Sequence, residues 1–143
     1  MPGSNSSVSL RPGTGADLDA IASIQSASPE SARWEPADYF GFDLRVAEAE
    51  GEVIGFAVAR RIALDENELL NIAVSPGWRR RGIGTALLMD IRARHPGAMF
   101  LEVRDSNRAA RQFYQALGFQ EVGCRKEYYT HPPEAAIVMK FHS

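Results

Sequence analysis

The apolar positions of this chain switch repeatedly between strand-like runs and helix-like spacing, and the switches mark out its elements. Val8 to Arg11 reads as a short first strand. Thr14-Gly15-Ala16-Asp17 has the form of a capping box, and Leu18, Ile21 and Ile24 then fall on one helical face. Ser28 to Asp43 breaks the rhythm. Pro29 and Pro36 interrupt it, and Trp34, Tyr39, Phe40 and Phe42 enrich it in aromatics, so a short helix is expected from about Pro36, in a segment lining a cleft. Leu44 to Ala47 and Val53 to Ile62 read as strands joined across Glu48-Ala49-Glu50-Gly51-Glu52, and the turn Leu64 to Asn67 leads into a strand from Glu68 to Val74. From Thr85 to Arg94 the spacing becomes helical. Ile83, Leu87, Leu88 and Ile91 share a face, and His95-Pro96-Gly97 stops the helix. Met99 to Val103 is the next strand. Ser106 or Asn107 can cap a helix whose face is Ala110, Phe113, Tyr114 and Leu117, with Gly118 as its stop. Phe119 to Glu121 and Ala136 to Phe141 are the last expected strands, separated by an irregular segment through Pro132-Pro133.

Composition narrows the picture. At 143 residues and 45% hydrophobic, the chain is expected to be a polar, turn-rich tail over residues 1–7 and one globular domain over residues 8–143. A net charge of −2 gives no basic field for nucleic acid. The single cysteine, Cys124, permits no internal disulfide and suits a reducing cytoplasm. It reads as a small buried hydrophobe beside an inferred strand. His95, His131 and His142 lack metal-ligand spacing, so no metal is expected. No apolar run approaches the ~20 residues of a membrane helix, and the tail lacks the pattern of a secretory signal.

The local run Arg79-Arg80-Arg81-Gly82-Ile83-Gly84 stands out against that neutral background. It joins the apolar strand Leu69-Leu70-Asn71-Ile72-Ala73-Val74 to a helix. A strand feeding a glycine-bearing turn and a helix N-terminus is an anion site, because the first helical amides have no internal partners and the macrodipole adds positive charge. Gly82 and Gly84 allow a phosphate to approach the backbone. The spacing matches neither G-x-x-x-x-G-K-[ST] nor G-x-G-x-x-G. Read as R-x-x-G-x-G, it resembles the acetyl-coenzyme A motif of the GNAT acyltransferase superfamily.

Acetyl transfer from a thioester to an amine needs a proton acceptor, donors for the oxyanion, and a proton for the departing thiolate. Glu102, set among Met99, Phe100, Leu101 and Val103, is a candidate base whose apolar neighbours would raise its pKa. The same residue also reads as an exposed strand glutamate. Tyr114 holds a proton at neutral pH and is a candidate acid, or else a core tyrosine on an amphipathic helix. Asn107 is a candidate contact for a pantetheine arm as well as a helix cap.

The order of these residues resembles the ribosomal-protein alanine N-acetyltransferase family (RimI) within GNAT. The likeness lies in Asn71 to Pro76, Arg79 to Gly84, Leu101 to Asn107 with Tyr114 and Leu117-Gly118-Phe119, Arg125 to Tyr129, and Glu134 to Met139. It covers about Leu64 to Met139 well and the first third more loosely, where Trp34 matches an aromatic usual in the family. The resemblance implies an α/β (α+β) fold, a twisted, mostly antiparallel mixed sheet of 6–7 strands with helices on both faces and a splayed central cleft for the cofactor. It implies acetyl-CoA as cosubstrate, held by the backbone of Ile72, Ala73 and Val74, by the pyrophosphate cradle Arg79, Arg80, Arg81, Gly82, Ile83 and Gly84, and by Asn107. Glu102 matches the proton acceptor and Tyr114 the proton donor.

The acceptor implied is a protein or peptide N-terminus, a ribosomal protein among the candidates, with Trp34, Tyr128 and Tyr129 lining its groove. The sequence also departs from the family pattern. Arg79 stands where Gln is frequent, Thr130-His131-Pro132-Pro133 replaces a polar, glycine-bearing loop, and Ala135 stands where Asp is common. The last two fall near the acceptor side. The alternatives are a small amine as acceptor, or a non-catalytic acyl-CoA-binding module, which would need neither Glu102 nor Tyr114.

Overall fold

A computed structural model describes residues 7–28, 34–130 and 133–142, with only the backbone described for residues 127–130 and 133. In chain order the elements are β1 (Ser9–Pro12), α1 (Leu18–Ser26), β2 (Asp43–Ala49), β3 (Glu52–Ala63), β4 (Glu66–Val74), α2 (Ile83–Arg94), β5 (Ala98–Arg104), α3 (Arg108–Ala116), β6 (Gln120–Thr130) and β7 (Pro133–Phe141). The strands form one sheet in the order β1-β2-β3-β4-β5-β7-β6, in which only β4 and β5 pair parallel. This is the mostly antiparallel mixed sheet that the resemblance implied.

Local chemistry accounts for the boundaries. The Asp17 carboxylate accepts the Thr14 N–H at 2.8 Å, as a capping box requires, and binds both terminal nitrogens of Arg11 at 2.8 and 2.9 Å. Those Arg11 bonds hold the Asp17 carboxyl down to about 2. The β2–β3 hairpin is tighter than the pattern suggests. Both strands run on until only Glu50 and Gly51 remain between them, at φ 54° and 79°, the left-handed pair of a two-residue hairpin turn. The aromatic segment contributes a 3-10 turn over Pro36–Gly41, and α2 begins at Ile83, two residues before its expected start.

Each helix buries the face its spacing predicted. On one side of the sheet, Ile21 and Ile24 of α1 pack with Tyr39, Val46, Phe56 and Val58. On the other, Ile83, Leu87, Leu88 and Ile91 of α2 pack with Met99, Leu101 and Met139, and Tyr114 of α3 joins them. Fully burying a side chain of the size of Leu87 or Ile91 contributes about 1.5–3 kcal/mol.

β4 changes phase within its length. Val58 on β3 faces Asn71 and Ala59 faces Leu69, which leaves Leu70 as an extra residue. This bulge lets Leu69 and, beyond it, Ile72 and Val74 pack on the α2 side, although their parity differs.

Two expectations at the C-terminal end are corrected. β6 does not stop at Glu121 but continues to Thr130. Cys124 is exposed, not buried. β6 is the sheet's edge strand, and residues 120–126 are exposed on both faces, so strand membership there brings no burial.

Candidate active site

β4 and β5 pair over only three residues each, Glu66 to Glu68 against Ala98 to Phe100. Beyond that point Leu69–Val74 and Leu101–Arg104 diverge, and a cavity of about 700 Å³ opens between them. One wall is Leu69 to Val74, the other includes Leu101, Glu102 and Val103, and α3 adds Ala110, Phe113 and Tyr114. The Ser75 N–H donates to Ile54 O at 2.7 Å, back toward β3. By the alternation of an antiparallel ladder, the N–H groups of Ile72 and Val74 therefore point away from β3 and into the cleft.

The far end of the cavity is the start of α2. Gly82, Ile83, Gly84 and Thr85 line it, with Arg79 and Arg80. Gly82 is the N-cap at φ 79°, a conformation glycine adopts without strain, and no side chain caps the helix there. The first intrahelical bond from this turn is Ala86 N–H to Gly82 O at 3.0 Å, which leaves the amides of Ile83, Gly84 and Thr85 directed outward. A Cβ on Gly84 would lie 3.5 Å from the Phe113 ring, an ordinary contact, so the chain itself tolerates more bulk there.

The three arginines differ in role. Arg79 donates from Nε to Val74 O at 3.1 Å and from Nη2 to Ala27 O at 3.3 Å and Ser28 Oγ at 2.9 Å, joining β4 to the end of α1. Arg81 stacks on Trp78, 4.8 Å from the ring centre, and is not part of the cavity lining. Arg80 lines the cavity at φ 62°, a left-handed conformation that costs a non-glycine residue about 1–2 kcal/mol. Positive φ at a binding turn is where such strain concentrates.

Glu102 and Tyr114 both border the cavity. The Glu102 carboxylate is four-fifths buried and lies 3.3 Å from Arg125 of β6, a counter-ion its apolar strand neighbours do not reveal. Tyr114 is 8% exposed and packs edge-on against Phe113 and Phe119 at 5.2 and 5.6 Å. Asn107 caps α3, its Oδ1 accepting the Ala110 N–H at 3.1 Å, and still lines the cavity. Ser106 turns instead to Glu134, whose carboxylate accepts the Ser106 N–H at 2.5 Å and pairs with Arg104 at 3.2 Å. Ser106's hydroxyl and amide, with Arg104, hold the Glu134 carboxyl below its ordinary range.

The acceptor aromatics are placed unevenly. Trp34 is half-buried against Phe42, with ring centres 6.3 Å apart, and borders the α1-side core rather than the cavity. The side chains of Tyr128 and Tyr129 lie outside the described residues, as do His131 and Pro132. Asn71 was not expected at the site. It is 6% exposed, lines the cavity, and accepts the cleft-facing Ile72 N–H at 2.9 Å through Oδ1. The legible signal was one carboxamide inside an apolar strand. Among the described residues, no group of three His, Cys, Asp or Glu is placed to hold a metal, and no helix is long and apolar enough to cross a membrane.

Comparison with known proteins agrees with this arrangement. The model of the Acetyltransferase (GNAT) family matches residues 17–119. The chain is 40% identical over 107 residues to the ribosomal protein bS18-alanine N-acetyltransferase of Escherichia coli K12, spanning 71% of this chain and 70% of that protein. It is 36% identical over 135 residues to the enzyme of the same description from Salmonella typhimurium, spanning 86% and 89%. The crystal structure of the ribosomal-protein-S18-alanine N-acetyltransferase from Escherichia coli superposes with a TM-score of 0.80 at 30% identity, over 95% of this chain and 94% of that one.

Proposed function

The chain belongs to the GNAT acetyltransferase family, and from that premise we propose that it acetylates the N-terminal α-amine of a protein chain, a ribosomal protein foremost. We take residues 8–143 as the catalytic unit, residues 1–7 as a tail, and the cytoplasm as its compartment. One observation carries the proposal. The splay of β4 from β5 puts Glu102 and Tyr114 on a cavity whose other end is the uncapped start of α2.

Acetyl-CoA, the family's cosubstrate, supplies the activated acetyl group as a thioester. The residues of the cavity suit it. The amides of Ile83, Gly84 and Thr85, with the charge of Arg80, form a cradle for a pyrophosphate. Within Ile72 to Val74, the cleft-facing Ile72 carbonyl and Val74 N–H offer strand-like pairing to an extended amide-bearing arm, the Ile72 N–H being held by Asn71, and Asn107 faces that arm from α3. Arg79 contributes less through its charge than through its hold on Val74 O. Glu102 takes the proton of the attacking amine, and its pairing with Arg125 makes a negative carboxylate compatible with burial. Tyr114 gives a proton to the departing thiolate. An α-amine has a pKa of ~7.7–8.0 against ~10.4 for lysine, so one carboxylate at neutral pH deprotonates it far more readily.

The deciding measurement is thiol release from acetyl-CoA across a panel of peptides and small amines. Peptides with a free N-terminal Ala or Ser are expected to turn over faster than N-blocked, lysine-bearing counterparts. Efficient turnover of a polyamine or a free amino acid, with every N-terminal peptide inert, would replace the protein acceptor by a small one. Acetyl-CoA binding without turnover of any amine would point to a regulatory module.

A further inference from the structure

A chain of buried polar groups runs between β4 and the aromatic segment, and beyond its first member, the Ile72 amide, the transfer chemistry proposed above does not use it. The Ile72 N–H donates to Asn71 Oδ1 at 2.9 Å. Asn71 Nδ2 donates to the Tyr39 hydroxyl at 2.9 Å. The Tyr39 hydroxyl donates to Gln25 Oε1, which Asn71 Nδ2 also reaches directly but more weakly at 3.3 Å, and Gln25 Nε2 donates to the Trp34 carbonyl at 2.7 Å. Every link points the same way, from the cofactor strand to Trp34, so each bond polarises the next. Tyr39 is fully buried, its ring packed against Phe56 at 5.5 Å, and it lines no part of the cavity. Burial pushes its phenol up to about 12, so it remains a donor at any working pH. Ser28 is tied to the same strand separately, through Arg79 and Val74 O.

We propose that Tyr39 is a positioning residue for the acceptor: its hydroxyl, through Asn71 on one side and Gln25 on the other, sets the place of Trp34 relative to the strand that presents the thioester. The proposal rests on the reading of Trp34 as an acceptor contact beside the cavity, on the α1-side core it borders, and not in the cavity lining itself. Because Tyr39 lines no part of the cavity, loss of this strut should leave proton transfer and cofactor affinity alone while loosening the acceptor wall.

Tyr39→Phe keeps the ring and removes the hydroxyl. With an Ala-initiated peptide, its KM for peptide should rise about 3–10-fold, the range a lost hydrogen bond supports. The acetyl-CoA Kd by calorimetry should stay within about twofold, and the pH midpoint of kcat/KM should not move. Gln25→Leu, which cuts the chain at its next link, should show the same split. Asp17→Asn, a destabilising change remote from the chain, serves as the stability control and should leave the peptide KM unchanged.

The proposal falls if Tyr39→Phe leaves the peptide KM unchanged, if Asp17→Asn reproduces its effect, or if the acetyl-CoA Kd weakens in parallel. Trp34→Ala, or Trp34→Phe should the first fold poorly, separates the two levels. A raised peptide KM there with none in Tyr39→Phe overturns the strut and preserves the acceptor wall. A raised KM in Tyr39→Phe with none at Trp34 overturns both the wall and the route assigned to the strut.

Discussion

The two ends of β4 pose the same physical problem and solve it in opposite ways. At the first end, Glu66 to Glu68 form a ladder with β5, and the buried carboxamide of Asn67 lies 3.1–3.2 Å from the carbonyls of His95, Pro96 and Ala98. Ala98 N–H closes onto Asp65 O at 2.9 Å, and Gly97 sits so close that a Cβ would come within 2.4 Å of the same oxygen. At the second end, Asn71, also buried, binds the adjacent Ile72 amide, the Tyr39 hydroxyl and Gln25 Oε1, and β5 has moved away. The bulge at Leu70 lies between them. One carboxamide seals the β4–β5 pair, and the other lies where β4, still paired with β3, is no longer covered by β5. An open edge inside a protein needs its polar groups managed.

The largest expected break falls at the open end. Glu102→Gln preserves shape and removes the proposed base, so kcat should fall by ~10²–10⁴-fold with the acetyl-CoA Kd nearly unchanged. Tyr114→Phe should lower kcat by less, since solvent can also protonate a thiolate. Wild-type turnover in both variants would remove these residues from the chemistry while leaving the fold untouched.

The closed end should respond in stability instead. Gly97→Ala forces a side chain into φ 107° against the Asp65 backbone, which should destabilise the protein by at least about 2 kcal/mol. Denaturant unfolding measures that loss. Activity per folded molecule should be retained, and a selective loss of kcat would mean that the two ends are less separable than their geometry implies.

The smallest of the three effects sharpens the contrast within the open end. Gly84→Asp meets only ordinary packing from Phe113, so stability should change little. A carboxylate at the α2 N-terminus should weaken acetyl-CoA by about tenfold or more through repulsion of the pyrophosphate. Calorimetry on the folded variant decides it, and unchanged affinity would relocate the phosphate site.

Much of this was legible in the sequence for reasons that can be named. Ile83, Leu87, Leu88 and Ile91 lie on one face because helical period is local, and burial of that face follows. The glycine turn at the start of α2 could be read because a strand end, the glycines and a helix start are contiguous. The capping box at Thr14 and Asp17 and the Asn107 cap were legible for the same reason, since each bond spans three residues. What misled was environment. Cys124 was expected to be buried because a free cysteine usually is, but it lies on the edge strand, where residues 120–126 are exposed. The end of β6 was missed because residues 120–126 face solvent on both sides and show no alternation.

The sequence by itself determined most of the elements, the faces they bury, the glycine turn that opens α2 and the family to which the chain belongs. Those properties depend on neighbours within a few residues, or on motifs held in order along the chain. The tertiary structure alone decided that Arg79 clasps Val74 and Ser28, that Arg81 stacks on Trp78, that Arg125 neutralises Glu102, and that Asn71 reaches Trp34 through Tyr39 and Gln25. Most of these contacts join elements distant in sequence. Their partners are set by strand order, register and one bulge, and a local pattern of polar and apolar residues encodes none of these.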